Sequence, residues 1–143
     1  VTVADDGELD PGPLVEVLVR RGAAIAPARV IDGAMGFAAL EASDALVPGP
    51  GGVLQPPARA RAIPVTQIGL VLVPVVAFDE RCDRIGRGGG HYDRMFARRE
   101  ASTPLLIGLA YDIQRVDDVA PEAHDVPLDH VVTPTAVFSR RSR

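Results

Sequence analysis

The six-residue run Ile68–Val73 constrains the fold most, because it is apolar at nearly every position. A strand with apolar side chains on both faces is typical of the centre of a sheet that is covered on both sides. Pro74 marks the predicted end of this strand, since proline cannot donate to a β ladder. Two further apolar segments, Leu105–Tyr111 and His130–Thr133, have the composition of buried strands. The sequence therefore predicts a sheet with at least three strands.

Helical patterns alternate with these strands. Leu14–Gly22 follows an acid and two prolines and ends with basic residues and a glycine, which predicts a helix of about three turns. Tyr92–Arg99 is also predicted to be helical, and Ala23–Ile31 to form a strand. The segment Pro48–Pro64 is rich in proline and glycine, so it is predicted to be an irregular surface connection that could act as a lid. This alternation predicts a layered α/β domain with a mainly parallel sheet.

Bulk properties limit the class of protein. The 143 residues, 47% of them hydrophobic, predict one domain spanning 1–143. No apolar run approaches the roughly 18 residues that cross a bilayer. Cys82 is the single cysteine and has no disulfide partner in the chain, which favours a reducing cytoplasm. The net charge of −4 offers no general attraction to nucleic acid or to an anionic membrane, so we expect neither as a partner.

The stretch Arg84–Arg94 carries four glycines and three arginines between apolar segments, a composition typical of phosphate binding. Consecutive backbone N–H groups before a helix start can form an anion nest, which the helix dipole would strengthen. It is not a P-loop, because the chain has no lysine, and His91 occupies the place of the last glycine of a dinucleotide fingerprint. The alternatives are a solvated turn or an RNA-binding Arg-Gly-Gly segment, and we favour the anion site because loops concentrate function.

Asp93, just beyond the glycines, has two interpretations. It stabilises the start of the helix by about 1 kcal/mol, or it is a Mg²⁺ ligand beside bound phosphate. A second acidic ligand would come from the segment before the third strand, and spacing does not distinguish Glu122, Asp125 and Asp129. His124 is interpreted as a surface histidine rather than as an acid–base partner of Asp125.

Further short motifs accompany the glycine-rich stretch in a fixed order: Val71–Pro74, Ala77–Asp79, Gly108–Tyr111 with Gln114, Pro121–Asp125, Leu128–Asp129 and Val131–Thr133. Together they resemble the 5-formyltetrahydrofolate cyclo-ligase (methenyltetrahydrofolate synthetase) family over roughly the last ninety residues. The resemblance implies a three-layer α/β/α domain and an enzyme that uses ATP and Mg²⁺, and we expect this enzyme to be a monomer. Its reaction would convert 5-formyltetrahydrofolate into 5,10-methenyltetrahydrofolate, releasing ADP and phosphate through a phosphorylated formyl intermediate. The alternative function is a non-catalytic folate- or nucleotide-binding relative.

The resemblance also implies roles for individual residues. Catalytic roles fall to Arg87 and Tyr92, and the metal ligands would be Asp93 and Asp125. The nucleotide phosphates would be bound by Arg84, Gly86, Arg87, Gly88, Gly89, Gly90, His91 and Tyr92. The folate would be bound by Val3, Glu8, Arg87, Gly88, Gly89, Gly90 and His91.

Three departures from the family pattern accompany these roles. Gly89 stands where some relatives have a lysine, and His91 stands where tyrosine is usual. The resemblance also implies a basic N-terminal helix that reaches the ATP phosphates, within roughly fifty residues that would precede Val1. We therefore expect the chain to be incomplete at its N-terminus.

Overall fold

The computed structural model describes residues 8–41, 44–99 and 103–141, and the chain divides after Ile68 into two units. The N-terminal unit runs to Ile68, and the C-terminal unit begins at Gly69. The prediction of one domain over 1–143 concerns both units jointly and stays a prediction.

Within its described residues, the N-terminal unit contains one α-helix and five short strands: α1 (Gly12–Arg20), β1 (Ala28–Ile31), β2 (Ala34–Ala38), β3 (Val47–Pro48), β4 (Leu54–Gln55) and β5 (Ala62–Ile63). Two 3₁₀ turns, Pro50–Gly52 and Val65–Gln67, complete it. At the end of α1, the N–H of Ala23 donates to the carbonyl of Leu18 at 2.9 Å, which closes the last turn. The predicted first helix is confirmed.

A tight hairpin joins β1 to β2. Its two turn residues, Asp32 and Gly33, have φ angles of 51° and 77°. Both residues are therefore left-handed, as in the type I′ turn that suits the twist of paired strands. Strands β1, β2 and β5 form an antiparallel sheet in the order β1-β2-β5. The strand predicted over Ala23–Ile31 is shorter than expected, because it begins only at Ala28.

Side chains anchor the proline-rich segment 48–64 to β1. The amide of Gln55 bonds the backbone of Val30 twice, accepting from its N–H at 2.8 Å and donating to its carbonyl at 3.1 Å. The guanidinium of Arg29 donates to the carbonyls of Pro57 and Ala60, each at 2.9 Å. The segment is therefore more ordered than predicted, since long side chains supply the partners that its prolines cannot.

In the part of the C-terminal unit that the structure describes there are one short helix and six strands: β6 (Leu70–Pro74), β7 (Ala77–Phe78), β8 (Arg84–Ile85), α2 (His91–Phe96), β9 (Leu105–Leu109), β10 (His130–Val132) and β11 (Val137–Ser139). A 3₁₀ turn, Asp112–Gln114, follows β9. Four strands form a sheet in the order β11-β10-β9-β6, and β7 pairs with β8 in a separate antiparallel hairpin. The three strands predicted from apolar runs are all present.

The pairings in this sheet are partly parallel. Strand β9 is parallel to β6 and to β10, whereas β11 is antiparallel to β10. The chain is thus mixed α/β with a parallel part, while the sheet of the N-terminal unit is antiparallel. The three-layer arrangement stays a prediction.

Strand β6 does not have the position that its pattern predicts. Val71, Leu72 and Val73 are buried on both faces of the strand, yet β6 is an edge of the four-stranded sheet within the described residues, and β9 has a neighbour on each side. Apolar residues on both faces report that both faces are covered. They carry no information on how many strands pair along the backbone edges.

The core of the C-terminal unit forms around β9. Among its largest fully buried side chains are Phe78, Leu106, Leu128, Val75 and Val131. Cys82 is also fully buried. No helix within the described ranges is both long and apolar enough to span a membrane.

Candidate functional site

Residues 86–90, which we call the glycine segment, connect β8 to α2. Gly88 and Gly90 have φ angles of 84° and 58°, values that side chains with a Cβ rarely adopt. Helix α2 ends at Phe96, earlier than the predicted Arg99, and has only six residues. Fewer than two turns of helix give little dipole, so anion binding here depends on backbone N–H groups and side chains.

A buried ion pair joins the two ends of this region. Arg84 Nη2 donates to Asp93 Oδ1 at 2.9 Å, and the two side chains are only 7% and 13% exposed. The Val126 N–H donates to the same oxygen at 3.0 Å, and the guanidinium lies 5.9 Å from the Tyr92 ring centre. Asp93 therefore holds the arginine and the chain near Val126 in place.

The side chain of Arg84 also has an unpaired hydrogen-bond donor, Nε. This atom is buried and has no hydrogen-bond partner among the described residues. A Cβ on Gly86 would lie 2.9 Å from Arg84 Nη1, so glycine leaves room for the guanidinium there. A buried donor without an acceptor costs about 1–3 kcal/mol, and an anionic ligand oxygen would satisfy it.

The other predicted residues of this region are more accessible. Arg87 is exposed, whereas His91 and Tyr92 are half-buried. The His91 ring lies against Gly89, where an added Cβ would be 2.9 Å from the ring Cδ2. His91 Nδ1 is 3.0 Å from a guanidinium nitrogen of Arg94, a residue that the sequence interpretation did not include in the site.

The structure brings the neighbourhood of Asp125 to Asp93, because the N–H of the next residue, Val126, bonds to Asp93. Asp125 Oδ2 accepts from the Glu122 N–H at 2.8 Å, and the side chain is partly exposed. His124 is a surface histidine, as predicted, with a side chain that is 72% exposed, although its Nε2 lies 3.6 Å from Asp125 Oδ1.

Asp129 is the third candidate for the second metal ligand, and its partners in the structure are protein groups. It pairs with the guanidinium of Arg99, and its Oδ2 accepts from the Leu106 N–H at 2.7 Å. Burial favours the neutral acid, but the Arg99 and Leu106 hydrogen bonds together lower the pKa of Asp129 below its usual value. Asp129 therefore fixes the start of β9.

The predicted metal site has fewer than three acids in the part of the chain that the structure describes. Within residues 8–41, 44–99 and 103–141, no three or more His, Cys, Asp or Glu side chains gather as a metal site would require. Magnesium bound beside phosphate needs only one or two carboxylates, with phosphate oxygens and waters as the other ligands. Asp93 uses Oδ1 for its contacts with Arg84 and Val126, and among the described residues Oδ2 is left for such a role.

One of the two further residues predicted to contact folate, Glu8, is described by the structure. Glu8 is half-buried and precedes α1. Val3 lies outside the described residues. Their role in folate binding stays a prediction.

Two polar residues support the region in ways that the sequence did not indicate. Gln114 Nε2 donates to the carbonyls of Val75 and Val76 at 2.8 and 3.0 Å, and its Oε1 accepts from the Tyr111 N–H at 2.6 Å. It thus links the chain after β6 to the chain after β9. Asp79 is 1% exposed and accepts three backbone N–H bonds. The sequence signal for the structural role of Asp79 was its position, since it is an acid directly after the apolar residues of β7.

Comparisons with known proteins agree with the motif order. The family model described as the 5-formyltetrahydrofolate cyclo-ligase family matches residues 3–134. The 5-formyltetrahydrofolate cyclo-ligase of Escherichia coli (strain K12) is 33% identical over 142 residues, covering 96% of this chain and 78% of that protein. The enzyme of the same name from Mycolicibacterium smegmatis is 37% identical over 79 residues, covering 55% of this chain and 40% of that protein.

Two solved structures are similar in fold. The NMR structure of Aquifex aeolicus 5,10-methenyltetrahydrofolate synthetase has a TM-score of 0.79 and 26% identity, covering 98% of this chain and 70% of that chain. The 5,10-methenyltetrahydrofolate synthetase from Mycoplasma pneumoniae has a TM-score of 0.62 and 25% identity, covering 87% of this chain and 65% of that chain. The mixed α/β fold of this chain matches theirs.

Proposed function

Since the chain belongs to the 5-formyltetrahydrofolate cyclo-ligase family, we propose that it cyclises 5-formyltetrahydrofolate to 5,10-methenyltetrahydrofolate in an ATP- and Mg²⁺-dependent reaction. The observation that carries the proposal is the family match over residues 3–134. The buried, unpartnered Nε of Arg84 beside the glycine segment supports an anionic ligand at this place.

The reaction needs the formyl oxygen to become a leaving group. In the proposed sequence the γ-phosphoryl group of ATP is transferred to that oxygen, and ADP is released. The neighbouring folate nitrogen then attacks the formyl carbon, a C–N bond forms and the N–H proton is lost to solvent, and the C–O bond breaks with departure of phosphate. In phosphoryl transfer the protein contributes chiefly by positioning the reactants and by stabilising charge.

The residues of the glycine segment and its flanks suit these two tasks. Their backbone N–H groups, together with Arg84, Arg87, His91 and Tyr92, would bind the phosphates of ATP. Arg87 is exposed, so its charge can reach both a phosphate and the formyl oxygen of a bound folate. Arg84 is held by Asp93, which keeps its guanidinium in one place and so lowers the entropy lost on binding.

Asp93 and Asp125 would hold the Mg²⁺, which neutralises phosphate charge when bound. Among the described residues, no backbone N–H bonds to Oδ2 of Asp93 or to Oδ1 of Asp125, and Val126 keeps the two segments together. Glu8 and Val3 would contact the folate. We further propose that the protein acts on this small molecule as a cytoplasmic monomer, with neither nucleic acid nor membrane as its partner.

The test is an absorbance assay for methenyltetrahydrofolate with 5-formyltetrahydrofolate and MgATP. Arg87→Ala should lower kcat/KM on the order of a hundredfold, as the loss of a transition-state charge contact does. Arg98→Ala is the matched control, because Arg98 is exposed and lies outside the site. Folate binding in calorimetry without product or ATP consumption would contradict the proposal and favour the non-catalytic binder.

A further inference from the structure

The proposed reaction gives no role to Arg94 or to its contact with His91. Arg94 Nη2 lies 3.0 Å from His91 Nδ1, a hydrogen-bond distance. A guanidinium has donors only, so the imidazole Nδ1 must be the acceptor in this contact. A ring that accepts at Nδ1 carries its proton on Nε2.

The His91 ring and the Arg94 guanidinium both lie close to the glycine segment. A Cβ on Gly89 would lie 3.1 Å from His91 Nε2 and 2.9 Å from its Cδ2. A Cβ on Gly90 would lie 2.8 Å from Arg94 Nη1. Side chains at these two positions would displace the imidazole and the guanidinium. The Nε2–H therefore lies against the glycine segment, and no hydrogen-bond partner for it occurs among the described residues.

We propose that Arg94 is a positioning residue, which holds His91 as an Nε2–H donor for a phosphate oxygen bound along the glycine segment. This inference rests on the proposed function, because the acceptor it names is a phosphate of ATP. Phosphate oxygens accept hydrogen bonds and do not donate at neutral pH, so a ring with its donor fixed towards them loses no binding energy to reorientation. Arg94 thus acts through His91.

The first readout is the tautomer of His91 in the protein without ligands. In ¹⁵N-labelled protein, long-range ¹H–¹⁵N spectra should show His91 with its proton on Nε2, with the signal assigned by its loss in His91→Phe. Arg94→Ala should shift the two nitrogen signals towards each other as both tautomers become populated. Arg94→Lys keeps a cation that only donates and should restore the Nε2–H form, while the control Arg98→Ala should change nothing.

The second readout is a double-mutant cycle on ATP binding, measured by calorimetry without folate. His91→Phe should weaken ATP binding about tenfold, the value of a hydrogen bond to a charged group. Arg94→Ala should weaken it severalfold in the wild-type background and change it by less than about twofold in the His91→Phe background. If Arg94 acted through its own charge instead, its removal would cost the same in both backgrounds.

Two results would overturn the inference: an Nδ1–H tautomer in the wild-type protein, or equal costs of Arg94→Ala in the two backgrounds. A protein that has the Nε2–H tautomer and loses it in Arg94→Ala, but binds no ATP, would support the positioning of His91 by Arg94. The same result would contradict the proposed function, so the two failures are distinguishable.

Discussion

One carboxylate, that of Asp93, has both a structural and a proposed metal-binding task. Its Oδ1 accepts from Arg84 and from the Val126 N–H. Removing one partner of a buried pair leaves an uncompensated charge, which costs more than the pair itself contributes. An effect on activity alone therefore does not identify Asp93 as a metal ligand, and stability has to be measured beside it.

Asp93→Ala should lower the free energy of unfolding by about 3 kcal/mol, because Arg84 would keep its charge without a partner. Asp93→Asn retains an acceptor oxygen for Arg84 and Val126, so its cost should be about half as large. Urea titrations of both variants check this. Equal stabilities of Asp93→Ala and the wild type would show that the pair with Arg84 is not made in solution.

Cys82 should be an unreactive thiol in the folded protein. Its side chain is fully buried, and burial raises the pKa of its thiol from 9.0 to about 11. Two pKa units lower the thiolate fraction at neutral pH about a hundredfold. A chromogenic disulfide reagent should therefore label the native protein at least that much more slowly than the urea-unfolded protein. Comparable rates in the two states would contradict the buried position.

Strand β9 depends on a glycine for its packing. A Cβ on Gly108 would lie 2.6 Å from Leu128 Cδ1 and 2.7 Å from Val75 Cγ2. Both neighbours are fully buried, so neither can move without disturbing the core. Gly108 lets two core side chains lie against the backbone of the central strand.

Gly108→Ala should destabilise the protein by about 1–3 kcal/mol, the usual cost of overpacking a core. Gly69→Ala is the control, because a Cβ there meets nothing within 4 Å. Thermal or urea unfolding of the two variants makes the comparison. A stability of Gly108→Ala equal to that of Gly69→Ala would mean that Leu128 and Val75 have room to give way.

Elements defined by local pattern were predictable, and contacts between distant residues were not. The apolar residues of β9 and the glycine that follows α1 were recognisable, because both patterns involve residues that are adjacent in sequence. The Asp32-Gly33 hairpin was missed although Asp-Gly is a strong turn signal, because the following segment has mixed composition. The pairing of Arg84 with Asp93, and of Asp129 with Arg99, depends on how long side chains meet in the folded chain. Spacing therefore could not separate Asp125 from Asp129.

Acidic side chains tie distant parts of the C-terminal unit together. Asp79 accepts from Arg81 and from the Val119 N–H, and Asp129 accepts from Arg99 and from the Leu106 N–H. Burial opposes ionisation of Asp79, but its Arg81 and backbone hydrogen bonds lower the pKa of this carboxyl below its usual value of 3.8. The pKa of Asp129 is lowered in the same way, by Arg99 and Leu106.

Stability should therefore fall on acidification. A carboxyl with a lowered pKa in the folded state stabilises the fold fully above its unfolded pKa, and that contribution is lost as the pH falls through the folded pKa. The free energy of unfolding should be constant well above the usual carboxyl pKa of 3.8 and should decline as the pH falls below that value, because the pKa values of Asp79 and Asp129 are lowered in the folded state. Urea titrations at a series of pH values measure this decline.

Asp129→Asn should cost about 2 kcal/mol at neutral pH, because the amide replaces a charged acceptor of Arg99. It should also make the acid-side decline shallower, since one carboxyl that binds a proton on unfolding is gone. Glu16→Gln is the matched control, because Glu16 is 74% exposed and its pair with Arg20 is long, at 3.9 Å. The contrary result would be a free energy of unfolding of Asp129→Asn that falls with pH as steeply as that of the wild type and of Glu16→Gln. The acid sensitivity would then have to come from other carboxyls of the chain.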